Sequence, residues 1–174
     1  MTIRKILTEP DPFLRQKSES VENVDDSIRK IMNDMLETMY KAPGIGLAAI
    51  QIGIPKRIIV LDISKDPEKK EPMYFVNPEK IYTSKNQATY EEGCLSVPGQ
   101  FAEIDRPDKC HIKYLDYNGE SKELKADGLL ATCIQHEMDH LEGILFIDHL
   151  SKLKRSVIAK KLSKQKKELE RIVV

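Results

Sequence analysis

The strongest chemical signal in the chain is a five-residue string, His136-Glu137-Met138-Asp139-His140. On a helix, residues four apart share one face, about one turn apart. Two imidazoles so placed can take two corners of a metal's coordination sphere. Glu137, between them, can reach a metal-bound water without binding the metal, where a base can take a proton from an attacking water. Such strings also arise by chance, usually on solvated helices. Here Leu129, Leu130, Cys133, Ile134, Met138 and Leu141 nearly surround the helix with apolar side chains. Burying two histidines, a glutamate and an aspartate among them is costly unless they are paired or metal-bound. That favours the metal.

Two histidines and a water leave one ligand to find. A third histidine six residues past the second, with a glycine between, is one solution. Gly143 fills the glycine position, but Phe146 stands where the histidine would be. A glutamate from a later helix is another, and Glu168 and Glu170 lie in a lysine-rich surface segment. Upstream, Glu91-Glu92-Gly93-Cys94-Leu95-Ser96-Val97-Pro98 offers a cysteine that a loop or strand end could aim at the helix. Taken alone, Cys94 reads as a small buried hydrophobe. A third segment, Gly44-Ile45-Gly46-Leu47-Ala48-Ala49-Ile50-Gln51, has two glycines that let a backbone approach a ligand closely. It reads equally as a helix stop followed by small-residue packing. No Lys-Ser/Thr pair follows it, which excludes a phosphate-binding loop and a nucleotide role.

These segments need elements to hold them. Ile28, Ile31, Met32, Met35, Leu36, Met39 and Tyr40 recur at helical spacing and predict a helix over 25–40, capped by Asp25 or Asp26 and stopped by Pro43-Gly44. Its methionine stripe reads as core. Residues 57–63 predict a buried strand, 65–72 a polar connection, and 73–77, 79–84, 101–104 and 110–117 further strands. Asn118-Gly119 marks a hairpin turn. Thus 57–125 is mostly antiparallel β. The motif helix runs from Asp127 as cap to Gly143 as C′, and an all-round apolar helix belongs in the middle of its domain. A last helix begins near Ser151, with Leu153, Val157, Ile158 and Leu162 on one face and basic residues on the other. The fold class is α+β: antiparallel sheets around a central buried metal-binding helix, with an N-terminal and a C-terminal helix.

The bulk properties agree. At 174 residues the chain fits one domain, 1–174, whose segment 152–174 is a basic helix and tail. Lys+Arg and Asp+Glu both total 28, which argues against a dedicated DNA or RNA binder. Residues 152–171 hold nine Lys/Arg and two Glu, so a basic end sits on an acidic body and suits an anionic partner. Cys94, Cys110 and Cys133 form no disulfide pattern, and a reducing, cytoplasmic compartment is expected. No apolar run suits a membrane span or signal peptide. Cys110, His111 and His149 match no motif and read as structural or surface residues.

Taken in this order, GIGLAAIQ (44–51), EGCLS (92–96) and HEMDH (136–140) resemble the three signature motifs of the peptide deformylase family. The resemblance covers order, spacing and element pattern over nearly the whole chain, and the length and last helix resemble the bacterial form with a helical tail. It implies a hydrolase that removes the N-formyl group from the initiator methionine of new proteins. Carried over by position, it implies Cys94, His136 and His140 as metal ligands with water as the fourth. Glu137 would be general base and then acid, with the Gln51 amide and the Leu95 backbone N–H donating to the oxyanion. Substrate contacts would come from Gly44, Ile45 and Gly46 as a docking edge, and from Glu92, Arg106, Leu129, Thr132 and Cys133. Leu129, Cys133 and His136 share one helix line and could wall a methionine pocket. The implied cofactor is one divalent ion: ferrous iron in the cell, with zinc, nickel or cobalt able to occupy the site. Zinc is also what a thiolate and two imidazoles hold well. The implied partners are N-formyl-methionyl nascent peptides. Ribosomal RNA is a candidate for the basic helix, against the plainer reading of a solvated face. Two other functions compete: a protease built on the same helix, disfavoured by the missing downstream ligand, and an adaptor with a structural metal, which would need neither Gln51 nor Glu137.

Overall fold

The computed structural model describes residues 1–172. Val173 and Val174, the end of the 152–174 tail, lie outside the described residues. Helix α1 (Asp26–Lys41) starts where the Asp25 side chain accepts from the Ile28 N–H at 3.0 Å, so Asp25 is the cap. It ends at Ala42, just before Pro43.

The GIGLAAIQ segment is neither a loop nor a helix stop alone. It forms a short strand, β1 (Gly46–Ala48), then a 3-10 helix, Ala49–Ile52. β2 (Ile58–Leu61) and β3 (Met73–Thr83) follow. β3 is one continuous strand where two were expected. Asn77-Pro78 reads as a break because Pro lacks a ladder N–H. The strand bends there instead, with Asn77 at φ 50° and a register shift beyond Val76. The Asn77 side chain donates to the Val21 carbonyl and accepts from its N–H, both at 2.8 Å, which holds the bend.

β4 (Gln87–Cys94) and β5 (Val97–Pro107) form a hairpin, and β6 (Lys109–Leu115) and β7 (Ser121–Asp127) a second one closed by Asn118-Gly119 with Gly119 at φ 84°. β4 was not expected, β7 was implied by the hairpin turn without bounds, and β5 is far longer than 101–104. Five strands pair antiparallel in the order β1-β2-β3-β6-β7, while β4-β5 stands as a separate two-stranded sheet.

Helix α2 (Gly128–Leu141) carries HEMDH, and Gly143 beyond it takes φ 74°. Asp127 occupies its N-cap position, yet its side chain makes no capping bond. The five-stranded sheet lies between the helices. Ile59 and Leu61 of β2 pack with Phe75, Ile112, Ala131, Ile134 and Met138 on the α2 side. Ile58 and Val60 pack with Met32, Met35 and Met39 of α1 on the other. Alternate residues of one strand thus serve two layers, each such burial contributing about 1.5–3 kcal/mol.

A third cluster joins the β4-β5 hairpin to the 3-10 helix Phe146–His149 and to α3 (Lys152–Ile172). Only Ile158 and Leu162 of α3 are buried; Leu153 and Val157, expected on its apolar face, are 77% and 44% exposed. Among the described residues, no helix is long and apolar enough to cross a membrane.

Candidate metal centre and active site

The centre forms where α2 meets the turn of the β4-β5 hairpin. β4 ends at Cys94, and α2 presents His136 and His140 one turn apart. Ligand atoms of these three residues all lie within 4.8 Å of one another, and Cys94 Sγ stands 3.4 Å from His140 Nε2. Both histidines are buried.

Each imidazole is set differently. His136 Nδ1 lies 2.7 Å from Glu92 Oε1. An ionised carboxylate only accepts, so Nδ1 carries the proton and Nε2 faces the cluster. Burial lowers the pKa of His136, but bonds to Cys94 and Glu92 outweigh it and hold that pKa well above the usual imidazole value. His140 is driven well below it, by burial first and by His136 second. A thiol and two imidazoles converge, and the buried His140 Nδ1 has no hydrogen-bond partner among the described residues. The donor set of one sulfur and two nitrogens fits a divalent transition metal.

Glu137 is 5% exposed, and its Oε2 is unpartnered. Burial is the main cause that pushes its pKa up to about 7; His136 opposes the rise and Glu92 adds to it. Gly46 lies against it, and a Cβ there would strike Glu137 Oε1. A Cβ at Gly44 would come within 2.7 Å of Leu95 Cδ1. Both glycines therefore serve close approach of the 44–46 backbone to the centre. Gln51 is 1% exposed. Its Oε1 accepts from the Ala48 N–H at 2.8 Å, and its Nε2 donates to Ser96 Oγ at 2.9 Å, with Cys94 Sγ at 3.5 Å. That fixes the amide with its NH2 toward the centre.

A cleft of about 500 Å³ opens over this floor. Gly44, Ile45 and Gly46 form one lip and Val97–Phe101 the other, while Leu129, Thr132 and Cys133 wall it beside His136 and Glu137. Leu95 and Glu92 also line it. Leu129 is 38% exposed on this wall rather than in the core. Burial pushes the Cys133 thiol up to about 12, with Glu137 and Glu92 adding to the rise.

Arg106 is the sequence-derived site residue that the structure does not bring to the cleft wall. It lies 5% exposed and grips both Glu92 oxygens, Nε to Oε2 at 2.7 Å and Nη2 to Oε1 at 3.0 Å. Its third contact is Nη1 to Asp139 Oδ2 at 2.8 Å. Burial alone would raise the Glu92 pKa, but His136 and Arg106 hold it below the usual carboxylate range. Arg106 thus backs His136 through Glu92. The sequence reading missed Ser96, which orients Gln51, and the rim residues Tyr90 and Phe101. Ser96 stands inside EGCLS, so it was visible, but nothing in its spacing showed its partner.

A mixed α+β chain that focuses a Cys-His-His cluster and a buried carboxylate on a cleft floor is, by class, a metallohydrolase. The particular family follows from comparison. The family model for polypeptide deformylase matches residues 3–156. The chain is 68% identical to the peptide deformylase of Pelagibacter ubique over the full length of both, and 60% identical to that of Phenylobacterium zucineum over 96% of this chain and 99% of the relative. Among solved structures, the Ehrlichia chaffeensis peptide deformylase in complex with actinonin superposes with a TM-score of 0.91 at 45% identity, covering 95% and 98% of the two chains. The Legionella pneumophila enzyme gives 0.90 at 46%, covering 98% and 99%. The chain belongs to the peptide deformylase family. It is a metal-dependent enzyme of the class that removes the N-formyl group from nascent peptides.

Proposed function

We propose that Cys94, His136 and His140 hold the metal, and that Glu137 shuttles the proton of a formyl-methionine hydrolysis. The observation that carries this is Glu137 itself: a buried carboxylate with a free oxygen, its pKa pushed up to about 7, beside three converging donors. A divalent metal held there supplies Lewis acidity, polarising the formyl carbonyl and acidifying water. Glu137 accepts a proton from the attacking water and returns it to the amine nitrogen as the C–N bond breaks, giving formate and a free N-terminal methionine. A carboxyl near neutral pKa suits both halves of that exchange.

Gln51 has two N–H groups. One donates to Ser96 Oγ at 2.9 Å and the other reaches toward Cys94 Sγ at 3.5 Å; turned from the sulfur, that second N–H can serve the oxygen that gains charge, alongside the Leu95 backbone N–H. Gln51 is neutral, so it does not compete for the metal. The substrate seat is the cleft. β1 is an edge strand of its sheet, and a peptide running past Gly44, Ile45 and Gly46 can pair with that edge as an added strand. Leu129, Thr132 and Cys133 wall the methionine side chain. Glu92 takes part through His136, since its oxygens are occupied by Arg106 and His136.

We take the working metal to be ferrous iron, with zinc, nickel or cobalt as substitutes that the same donors accept, in one catalytic domain, 1–174, acting in the cytoplasm. The basic face of α3, with Lys160, Lys164 and Lys167, is offered to ribosomal RNA, and binding through it weakens with salt.

The test is formate release from an N-formyl-Met peptide by anaerobically prepared, iron-loaded protein. Glu137→Ala should lose about 10²–10⁴-fold in kcat while retaining metal. The wild-type kcat/KM should rise with pH as Glu137 loses its proton, with the limb below 7 because a dication favours the carboxylate. Metal-loaded wild type that leaves the peptide untouched would return the chain to a structural-metal reading.

A further inference from the structure

His149 lies outside all three motifs, on the 3-10 helix that follows α2. Its side chain is 38% exposed, and its Nε2 stands 2.8 Å from Asp139 Oδ2. A carboxylate only accepts, so Nε2–H is the donor. The same Asp139 oxygen accepts from Arg106 Nη1 at 2.8 Å. Arg106 then clasps Glu92 at 2.7 and 3.0 Å, and Glu92 accepts from His136 Nδ1 at 2.7 Å. An unbroken line of four polar contacts thus runs from a half-exposed ring to the imidazole whose other nitrogen faces Cys94.

We infer that His149 is a positioning residue for His136, acting through Asp139, Arg106 and Glu92; this rests on the metal seat proposed above. The physical reason is a difference in burial along the line. The Arg106 and Glu92 side chains are each 5% exposed and cannot exchange a lost partner for water. The Asp139 side chain is 15% exposed and can turn outward. His149 holds its carboxylate inward. Without that bond, Asp139 turns to solvent and Arg106 Nη1 is left unpaired where it cannot be hydrated. The guanidinium then shifts to compensate, drawing Glu92 and the His136 ring with it. Partners one contact behind a metal ligand commonly change metal affinity 10–100-fold. His149 is three contacts further back, and an effect of roughly fivefold on metal retention is expected.

A purely structural His149 would only pin the 3-10 helix to α2. It would change thermal unfolding and leave metal release alone. The experiment loads the full chain with cobalt(II) and follows its release to excess chelator, alongside thermal unfolding of the metal-free chain. His149→Ala should release cobalt about fivefold faster than wild type. His149→Gln, whose amide can donate to Asp139, should return release to within about twofold of wild type. Metal-free unfolding of His149→Ala should fall somewhat on either reading, because a buried donor loses its partner, so the cobalt release rate and its restoration by His149→Gln decide between them. Equal release from His149→Ala and wild type overturns the inference alone, as does a failure of His149→Gln to restore retention. A wild-type chain that takes up no cobalt overturns the metal seat, and this inference with it.

Discussion

Helices α2 and α3 are separated by a single 3-10 turn, yet they are built on opposite plans. Of the 14 residues of α2, ten are buried, among them His136, Glu137 and His140. Of the 21 residues of α3, two are buried. α2 is surrounded and is held by charge as well as by packing, since Arg106 ties its Asp139 to Glu92 of β4. α3 buries only Ile158 and Leu162, adds one half-exposed ion pair from Arg155 to Asp148 at 3.1 Å, and shows most of the rest to water. The first plan holds side chains in place on every side, which suits the proton shuttle proposed for Glu137. The second leaves a charged surface free, and sequence changes there should be tolerated.

Four substitutions would sharpen or break that contrast. Arg106→Ala removes one partner from a buried ion pair and leaves Glu92 uncompensated. It should cost about 3–5 kcal/mol of stability by denaturant unfolding. A loss under 1 kcal/mol would mean the buried pairing is not what holds α2 to the hairpin. Gln51→Ala should lower kcat about 10²–10³-fold, the signature of a lost oxyanion donor, and should also cost about 1–3 kcal/mol of stability because the buried Ala48 N–H loses its acceptor. An effect on KM alone would place Gln51 in substrate binding. On α3, Leu162→Ala deletes one of the two anchors and should cost about 2 kcal/mol. Leu153→Ala, at a position 77% exposed, should stay within about 0.5 kcal/mol. Should the two α3 variants prove equal, that helix is covered in solution by something other than its own chain.

Legibility in the sequence followed the same divide. α1, its aspartate cap (Asp25 or Asp26 from the sequence, Asp25 in the structure) and the Asn118-Gly119 turn could be read because apolar spacing and turn chemistry are local signals. So could α2, with three cluster residues falling inside recognisable strings. β4 could not, nor could the bounds of β7 beyond its turn. Their buried positions are few, and β4 alternates between exposed and half-buried along most of its length, so no apolar stripe marks them. β3 was split in two because Pro78 looks like a terminator, while the Asn77 bonds that carry the strand through it join residues 56 apart. Arg106 was placed at the cleft by the family resemblance, not by any local signal. That it turns inward to Glu92 and Asp139 depends on the register of β4 against β5, where Arg106 faces Ala88. The apolar face expected for α3 was half right, since helical spacing does not say how much of a helix a small neighbour can cover.

The chain's three thiols also differ in a way that bears on how it can be handled. Cys110 is 2% exposed and burial raises its pKa, while Cys133 is 8% exposed with its pKa pushed up to about 12. Neither offers appreciable thiolate at neutral pH, and thiolate is the form that reacts with alkylating agents. Cys94 is the half-buried one and opens onto the cleft. A covalent label is therefore directed away from those two thiols and toward the accessible sulfur of the cluster, and with Cys94 in its proposed place as a metal ligand, native cysteine chemistry would gauge how much of a preparation holds its metal.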